Sequence, residues 1–211
     1  MPQFILNEWM IDSPVHRGHR DLVPAYEDIY KVFSFCKPSE IKVVILGQDP
    51  YYSVDYDLNL KANGLAFGVN PLYRGPRNSS IRNIQLELRN CGYDLEDLSL
   101  GSLAKQGVLL LNTQLTTMRG KPLFHKGIWD ICIKNILKQI PADAVFLIWG
   151  NETAEVMAEA MNSSNTLFTS HPSSLSSTRT NYPFTGSKCF ILVNEKLVSL
   201  GKSPIEWGRK L

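Results

Sequence analysis

Three chemically versatile side chains each follow an apolar run in this sequence of 211 residues. They are Asp49 after residues 43–46, Asn112 after residues 108–111, and His171 after residues 166–169. A carboxylate can stabilise positive charge, an amide can hydrogen-bond a polar ligand, and an imidazole can exchange a proton near neutral pH. Each residue also has an ordinary explanation, because Asp-Pro and Asn are common in turns and caps, and an isolated His is commonly structural.

The apolar runs predict the elements that would bring these side chains together. They are rich in β-branched and aliphatic residues, which is typical of buried strands, and a fourth run at residues 145–149 stops at Gly150-Asn151. Helical stretches between the runs indicate βαβ units, whose right-handed crossovers place the carboxyl ends of the strands at one edge of the sheet. We therefore expect Asp49, Asn112 and His171 to converge at that edge, where open α/β sheets build their active sites.

The whole pattern predicts a three-layer α/β/α sandwich with a central four-stranded, mainly parallel sheet. Helices are expected at about residues 26–35, 80–90, 128–139, 152–161 and 187–200. Ser79 or Ser80 is the expected N-cap of the second of these helices. The length predicts one domain spanning residues 1–211, in which residues 1–23 look loosely organised and residues 53–63 form a loop.

Composition limits the class of protein. With 44% hydrophobic and 20% charged residues, and no apolar run of the roughly 20 residues that span a bilayer, the chain predicts a soluble protein without a signal peptide, in the cytoplasm or nucleus. Four widely spaced cysteines without a Cys-x-x-Cys pattern predict reduced thiols rather than a zinc or iron–sulfur site. The net charge of +2 is too small to prove nucleic-acid binding. A basic stretch opposed only by Glu87, which a solvated helix face also explains, consists of Lys61, Arg74, Arg77, Arg82 and Arg89.

Several ordered segments, from about residue 25 to the end, resemble the family 1 uracil-DNA glycosylases. The family's Gly-Gln-Asp-Pro-Tyr-His box is matched by Gly47-Gln48-Asp49-Pro50-Tyr51, with Tyr52 in the last place. The family's His-Pro-Ser-Pro-Leu-Ser loop is matched by His171-Pro172-Ser173-Ser174-Leu175-Ser176. Further similar segments are residues 64–69, 105–108, 109–112 and 202–207.

The resemblance implies an enzyme that flips uracil out of DNA and hydrolyses its N-glycosidic bond in base-excision repair, without a metal or other cofactor. It implies that Asp49 stabilises the cationic sugar and orients water, and that His171 donates a hydrogen bond to uracil O2. The residues implied for uracil binding are Gln48, Tyr51, Phe67 and Asn112. Among them, Tyr51 would exclude the methyl group of thymine, and Asn112 would distinguish uracil from cytosine.

The residues implied for DNA contact lie on the rim around that pocket. They are Ser80, Asn151, Pro172, Ser173, Leu175 and Ser176. Leu175 stands alone among serines and resembles an apolar wedge that fills the vacated place in the base stack. A lone apolar residue on a polar loop is also explained as a minor packing contact.

The chain departs from the family pattern at several rim positions. Tyr52 replaces a His, so its role stays open, since a phenol carries no positive charge at neutral pH. Asn151 replaces a Ser, and residues 53–63 form a longer loop. These departures keep a non-catalytic DNA-binding relative, acting as a scaffold or polymerase accessory, as the alternative function, and altered base choice as a third. We expect a monomer that binds uracil-containing DNA, with the phage-type protein inhibitor known for this family as a candidate partner.

Overall fold

The structure is a computed structural model that describes residues 3–14, 19–157, 163–178 and 180–211. Its strands are β1 (Gln3–Leu6), β2 (Trp9–Asp12), β3 (Leu22–Val23), β4 (Val43–Gly47), β5 (Tyr93–Asp94), β6 (Val108–Asn112), β7 (Thr117–Met118), β8 (Val145–Trp149), β9 (Thr166–Thr169) and β10 (Arg209–Lys210). Its α-helices are α1 (Ser79–Asn90), α2 (Gly101–Ala104), α3 (Asp130–Leu137), α4 (Asn151–Met157) and α5 (Cys189–Ser199). Short 3-10 helices span Tyr26–Asp28, Lys31–Ser34, Pro38–Glu40 and Ser163–Asn165.

A four-stranded parallel sheet in the order β6-β4-β8-β9 forms the centre of the molecule. Every residue of β4, β6 and β8 is buried, as expected for apolar strands that are covered on both faces. Helix α2 packs against β6, α4 against β8, and α5 against β8 and β9. The predicted three-layer α/β/α sandwich is therefore confirmed, and its central sheet is parallel throughout.

The helix predictions differ from the structure at particular ends. Residues 26–35 contain two separate 3-10 turns instead of one helix, and neither turn has a side-chain cap to satisfy its free N–H groups. Helix α1 begins at Ser79, and its N-cap is Asn78, whose side chain accepts the backbone N–H of Ile81. The choice of Ser79 or Ser80 as N-cap is therefore wrong. The helix expected over residues 152–161 is α4 as far as Met157, while residues 158–162 lie outside the described residues.

The expectation of loose organisation near the N-terminus is wrong for the described residues 3–14. There β1 and β2 form an antiparallel hairpin whose turn residues Asn7 and Glu8 both adopt left-handed backbone angles, as tight hairpin turns require. Trp9 and Ile11 are completely buried, and β2 packs against α3. The indole N–H of Trp9 donates to the carbonyl of Cys36 at 2.8 Å. Alternate residues of β2 therefore point into the core and attach this segment to it.

The cysteines behave as small apolar side chains. All four are free thiols, and Cys36, Cys132 and Cys189 are buried. Burial raises the pKa of the Cys132 and Cys189 thiols to about 12, so both stay protonated and unreactive at neutral pH. The longest described helix, α1, has 12 residues, and within the described parts of the chain no helix has the length and apolarity to cross a bilayer.

A buried carboxylate connects α1 to the start of α5. Glu87 has no exposed surface, and its two oxygens accept the backbone N–H groups of Gly186 at 2.6 Å and Lys188 at 2.7 Å, together with the amide of Asn90 at 3.1 Å. These hydrogen bonds satisfy backbone donors just before α5, where the N-cap residue Lys188 supplies no side-chain cap. Glu87 is therefore a structural residue and not part of an exposed charged surface.

Replacing Glu87 by Ala should destabilise the protein by about 3 kcal/mol, because buried backbone donors lose a charged acceptor. Urea denaturation of both proteins measures this change in the free energy of unfolding. The matched control is Glu195→Ala on the exposed side of α5, which should change the free energy of unfolding by at most about 0.5 kcal/mol. Equal effects of the two substitutions would contradict a structural role for Glu87.

Candidate active site

The structure brings the predicted acid, amide and imidazole to one cavity at the carboxyl edge of the sheet. Asp49, Asn112 and His171 all line this space, whose volume is about 140 Å³. Its other lining residues are Gly47, Gln48, Pro50, Tyr51, Tyr52, Leu65, Phe67 and Ser80. We call this space the base-sized cavity. The rim residues Asn151, Pro172, Ser173, Leu175 and Ser176 do not line it.

The register of two neighbouring strands sets the positions of Asn112 and Gln48. The last residue of β4, Gly47, pairs directly with Asn112 at the end of β6. A Cβ on Gly47 would lie 2.3 Å from Oδ1 of Asn112, so only glycine leaves room for the amide. Beyond the strands, the carbonyl of Gln48 accepts the hydroxyl of Thr113 and the backbone N–H of Gln114, each at 2.9 Å. The turn after β4 is thereby fixed to the end of β6.

Asp49 is held by a backbone donor that the sequence did not reveal. Its Oδ2 accepts the N–H of Leu123 at 2.7 Å, and Leu123 has a left-handed backbone with φ of 57°. Such a conformation costs about 1–3 kcal/mol in a non-glycine residue, so it persists because the surrounding structure requires it. Partial burial raises the pKa of the Asp49 carboxyl, while the hydrogen bonds from Leu123 and from the N–H of Asp49 itself lower it. The carboxylate is thus desolvated but held in one orientation.

His171 has a defined tautomer. Its Nδ1 accepts the backbone N–H of Ser173 at 3.1 Å, which leaves the proton of the neutral ring on Nε2 as a donor. Burial lowers the pKa of His171 below its ordinary value of 6.5, and the nearby carboxylate of Glu152 raises it by a smaller amount. The serine loop adds a further constraint, because the Ser176 hydroxyl donates to the carbonyl of His171 at 2.9 Å. The ring is therefore neutral at pH 7.

Glu152 is a second site residue that sequence analysis missed. The side-chain amide of Gln48 donates to its carboxylate at 2.5 Å, although the two residues are 104 positions apart. Glu152 lies in the first turn of α4, directly after the strand β8. It therefore connects the turn after β4 with the carboxyl end of β8, and its charge acts on His171. An exposed Glu at a helix start is so common that its type alone gave no signal.

Two aromatic side chains form walls of the cavity. Phe67 has a left-handed backbone with φ of 63°, and its ring lies 5.0 Å from Trp149 in an edge-on contact and 5.9 Å from His171. The hydroxyl of Tyr51 lies 3.4 Å from the carbonyl of Phe67. Burial raises the pKa of Tyr51 to about 12, against a weaker lowering by a hydrogen bond to Asn78, so the phenol stays protonated. Both rings are held in place from outside the cavity.

The predicted rim residues that do not line the cavity lie in two places, the serine loop that follows His171 and the start of α4. Leu175 projects from the serine loop and is 84% exposed, while Asn83 of α1 holds that loop by donating to the Pro172 carbonyl at 2.8 Å. The hydroxyls of Ser173 and Ser176 lie 3.0 Å apart. Asn151 is exposed at the start of α4. Leu175 therefore contributes little to the core, which disfavours its explanation as a packing residue.

Tyr52 lines the cavity and is 42% exposed, and its carbonyl accepts the N–H of Gly120 at 3.0 Å. The residue is thus fixed through its backbone at the mouth of the cavity. The described residues contain no cluster of three or more His, Cys, Asp or Glu side chains that is arranged to hold a metal ion. The side chains that line the cavity include a carboxyl group, two amides, an imidazole and aromatic rings.

Comparison with known proteins gives a consistent result. Residues 33–198 match the model of the uracil DNA glycosylase superfamily. A uracil-DNA glycosylase of Clostridium perfringens is 37% identical over 213 residues, covering 97% of this chain and 86% of that protein. Uracil-DNA glycosylase 2 of Listeria monocytogenes is 39% identical over 196 residues, covering 89% of this chain and 83% of that protein.

Solved structures are similar as well. The crystal structure of mimivirus uracil-DNA glycosylase has a TM-score of 0.81 and 27% identity, covering 90% of this chain and 75% of that chain. A variant of mimivirus UNG in complex with UGI has the same TM-score and identity, covering 90% of this chain and 77% of that chain.

The geometry predicts how His171 titrates. Its pKa should lie below 6.5, and Glu152→Gln should lower it further, because the substitution removes the carboxylate that favours the protonated ring. Nitrogen NMR of the imidazoles over a pH series measures the pKa and reports the Nε2–H tautomer. His125, whose Nδ1 lies 2.9 Å from the Thr116 hydroxyl, is an internal control whose pKa should not change. A rise in the pKa of His171 upon Glu152→Gln would contradict the proposed electrostatic contact.

Proposed function

The chain belongs to the uracil DNA glycosylase superfamily, and on that premise we propose that it flips uracil out of DNA and hydrolyses the N-glycosidic bond. The products are free uracil and an abasic site, as in the first step of base-excision repair. The observation that supports this most directly is the convergence of Asp49, Asn112 and His171 on one cavity of about 140 Å³. Pockets for drug-sized ligands measure about 300–1,000 Å³, so this space suits a single base rather than a nucleotide.

Breaking an N-glycosidic bond places positive charge on the sugar and negative charge on the departing base. Asp49 supplies the negative charge near the sugar and orients the attacking water. Its hydrogen bond from Leu123 fixes the carboxylate before the substrate arrives, so little reorganisation is needed as the charge develops. Partial burial strengthens the interaction of this carboxylate with a cationic sugar.

His171 stabilises the departing base. Its neutral ring carries a proton on Nε2, because Nδ1 is occupied by the N–H of Ser173. That proton is donated as a hydrogen bond to uracil O2, where negative charge accumulates as the bond breaks. A neutral donor suits a base that leaves as an anion, and the lowered pKa of His171 maintains this form at pH 7. Gln48 lines the cavity as well.

Base selection requires both a hydrogen-bond pattern and a wall. The amide of Asn112 complements uracil, in which O4 accepts and N3–H donates a hydrogen bond. Cytosine has a donor and an acceptor in the opposite places, so buried polar groups would stay unpaired at a cost of about 1–3 kcal/mol each. Thymine has the same hydrogen-bonding edge as uracil and is excluded by its methyl group, against the ring of Tyr51. Phe67 stacks on the flipped base. Its edge-on contact with Trp149 keeps the ring in place.

The exposed rim binds the DNA strand and helps to extrude the base. Leu175 enters the stack as a wedge, which offsets part of the few kcal/mol that unstacking costs. Ser80, Ser173 and Ser176 contact the phosphates on either side through hydroxyls and backbone N–H groups. Pro172 has neither donor and packs against the same strand. Asn151 at the start of α4 belongs to the same surface, and Tyr52 at the mouth of the cavity takes the place of the family's His.

The non-catalytic alternative is not favoured, because the full set of catalytic and base-binding side chains lines the cavity. Altered base choice is disfavoured for the same reason, since Tyr51 and Asn112 are the residues that would have to change. The curated relatives reported above are bacterial, which favours the cytoplasm as the place of action. The complex of mimivirus UNG with UGI makes an inhibitor of that type a candidate partner of this chain, which we expect to act as a monomer.

The purified protein should release uracil from a uracil-containing oligonucleotide in the presence of a chelator, and alkali should then cut the strand at the abasic site. Asp49→Asn should lower this rate by about 10²–10³-fold, because the sugar cation loses its counter-charge. Affinity for the oligonucleotide and the melting temperature serve as controls and should change little. DNA binding by the wild-type protein without strand scission would instead support the non-catalytic alternative.

Tyr51→Ala should admit thymine, because the substitution removes the ring that meets its methyl group. The ratio of kcat/KM for uracil to that for thymine should fall by about 10–200-fold, the range that pocket size alone can supply. Tyr56→Ala is the matched control, since Tyr56 is fully exposed in the loop of residues 53–63 and does not line the cavity. If Tyr51→Ala still rejects thymine as strictly as the wild type, the wall consists of other residues.

A further inference from the structure

Lys61 is a charged residue in an unusual environment. It lies near the end of the loop of residues 53–63, is only 3% exposed, and contacts the segment that leads into α1. The ammonium lies 4.9 Å from the ring centre of Tyr51 and 5.3 Å from that of Tyr73. It donates one hydrogen bond, to the carbonyl of Pro76 at 3.0 Å.

No carboxylate within the described residues forms an ion pair with Lys61. Burial lowers the pKa of its ammonium, and the positive charge of Arg82 lowers it further. A buried cation without an anion is unfavourable for folding, and the two aromatic faces and one carbonyl compensate only in part. A residue that contributes so little to stability is a candidate for a functional role.

Lys61 lies behind the wall of the base-sized cavity. It does not line that cavity, so it cannot contact the flipped base. It lines a second cavity of about 330 Å³, together with Tyr73, Arg74 and Arg77. Lys61 therefore borders both the Tyr51 ring and an open space. Without a side chain at this point, the ring of Tyr51 would have room to move away from the base.

The geometry points to Lys61 as a positioning residue that determines base specificity, by holding the ring of Tyr51 against the base-sized cavity so that the methyl group of thymine is excluded. This inference rests on the proposed function, in which Tyr51 is the wall. The electrostatic attraction between an ammonium and an aromatic face favours one position of the ring. An apolar side chain would fill the same volume without that preference.

Lys61 also connects the wall to the part of the rim that binds DNA. Its hydrogen bond to the Pro76 carbonyl holds the residues immediately before α1. In that segment Asn78 caps α1 and hydrogen-bonds the Tyr51 hydroxyl, and Ser80 in the first turn of α1 lines the base-sized cavity. The Lys61 ammonium thus contacts the face of the Tyr51 ring and also holds the backbone just before Asn78. Asn78 in turn hydrogen-bonds the Tyr51 hydroxyl.

The test compares how wild type and Lys61→Met release bases with a 5-substituent of increasing size: uracil, 5-fluorouracil and thymine. Methionine keeps an unbranched chain of similar length but removes the charge and the donor. For each base, kcat/KM of the variant is divided by that of the wild type, so differences between the leaving groups cancel. The control is Lys105→Met, an exposed position before β6 at the opposite edge of the sheet, which should match the wild type for every base.

For Lys61→Met, the relative rate should rise with the size of the substituent, and the preference for uracil over thymine should fall about tenfold. Its melting temperature should stay unchanged or rise, because replacing a buried charge by an apolar group is commonly neutral or stabilising. This combination separates positioning from a purely structural role, which would lower all three rates by the same factor. Lys61→Gln, shorter and also uncharged, should show the same trend.

An unchanged preference in Lys61→Met would overturn the inference, as would an unchanged preference in Lys61→Gln if the first variant does not fold. Equal losses for all three bases would also overturn it and assign Lys61 a structural role. Failure of the proposed function has a different signature, because the wild-type protein would then release no uracil. If thymine release by Tyr51→Ala matches the wild type, the premise that Tyr51 is the wall fails instead.

Discussion

The candidate site depends on one strand pairing, in which Gly47 at the end of β4 lies opposite Asn112 at the end of β6. A shift of this register by one residue would turn Asn112 away from the cavity, because successive strand residues point to opposite faces. The same pairing leads into the turn whose Gln48 carbonyl is bound by Thr113 and Gln114. Since a Cβ on Gly47 would collide with the Asn112 amide, the amide proposed for base selection and the turn that carries Asp49 share one steric requirement. The remaining site residues are arranged around this pair.

Burial shifts the pKa values of the two groups proposed for catalysis in opposite directions. It raises the pKa of Asp49 and lowers that of His171, since low polarity disfavours the charged form of each. The protein opposes the first effect with the N–H of Leu123 and the second with the carboxylate of Glu152. The result is a desolvated carboxyl held by a backbone donor and, at pH 7, a neutral imidazole that can donate a hydrogen bond to a base leaving as an anion. Neither Leu123 nor Glu152 is among the residues whose type predicted a role in catalysis.

The features of the fold that depend on strong local patterns could be predicted from the sequence. Apolar runs identified the four strands of the central sheet, and the chain direction of the βαβ units brought Asp49, Asn112 and His171 to one edge. Leu123 could not be predicted, because a backbone N–H leaves no trace in residue type. Glu152 and Lys61 could not be predicted either, because an exposed Glu and a Lys within a basic stretch look like ordinary surface residues. Their roles depend on distances across the fold, such as the hydrogen bond between Gln48 and Glu152.

The basic stretch shows why charge counted along the chain is a poor guide to DNA binding here. Two of the charges between residues 61 and 89 are buried: the opposing Glu87 holds the start of α5, and Lys61 lies between two aromatic rings. The charges left on the surface belong to the arginines. Their attraction to DNA phosphates acts at long range and does not depend on the DNA sequence. Discrimination between bases requires rigid contacts at short range, and a desolvated ammonium fixed against Tyr51 provides one. Because Lys61 is buried, its charge contributes little to the general attraction of phosphates. It serves the selection of one base instead.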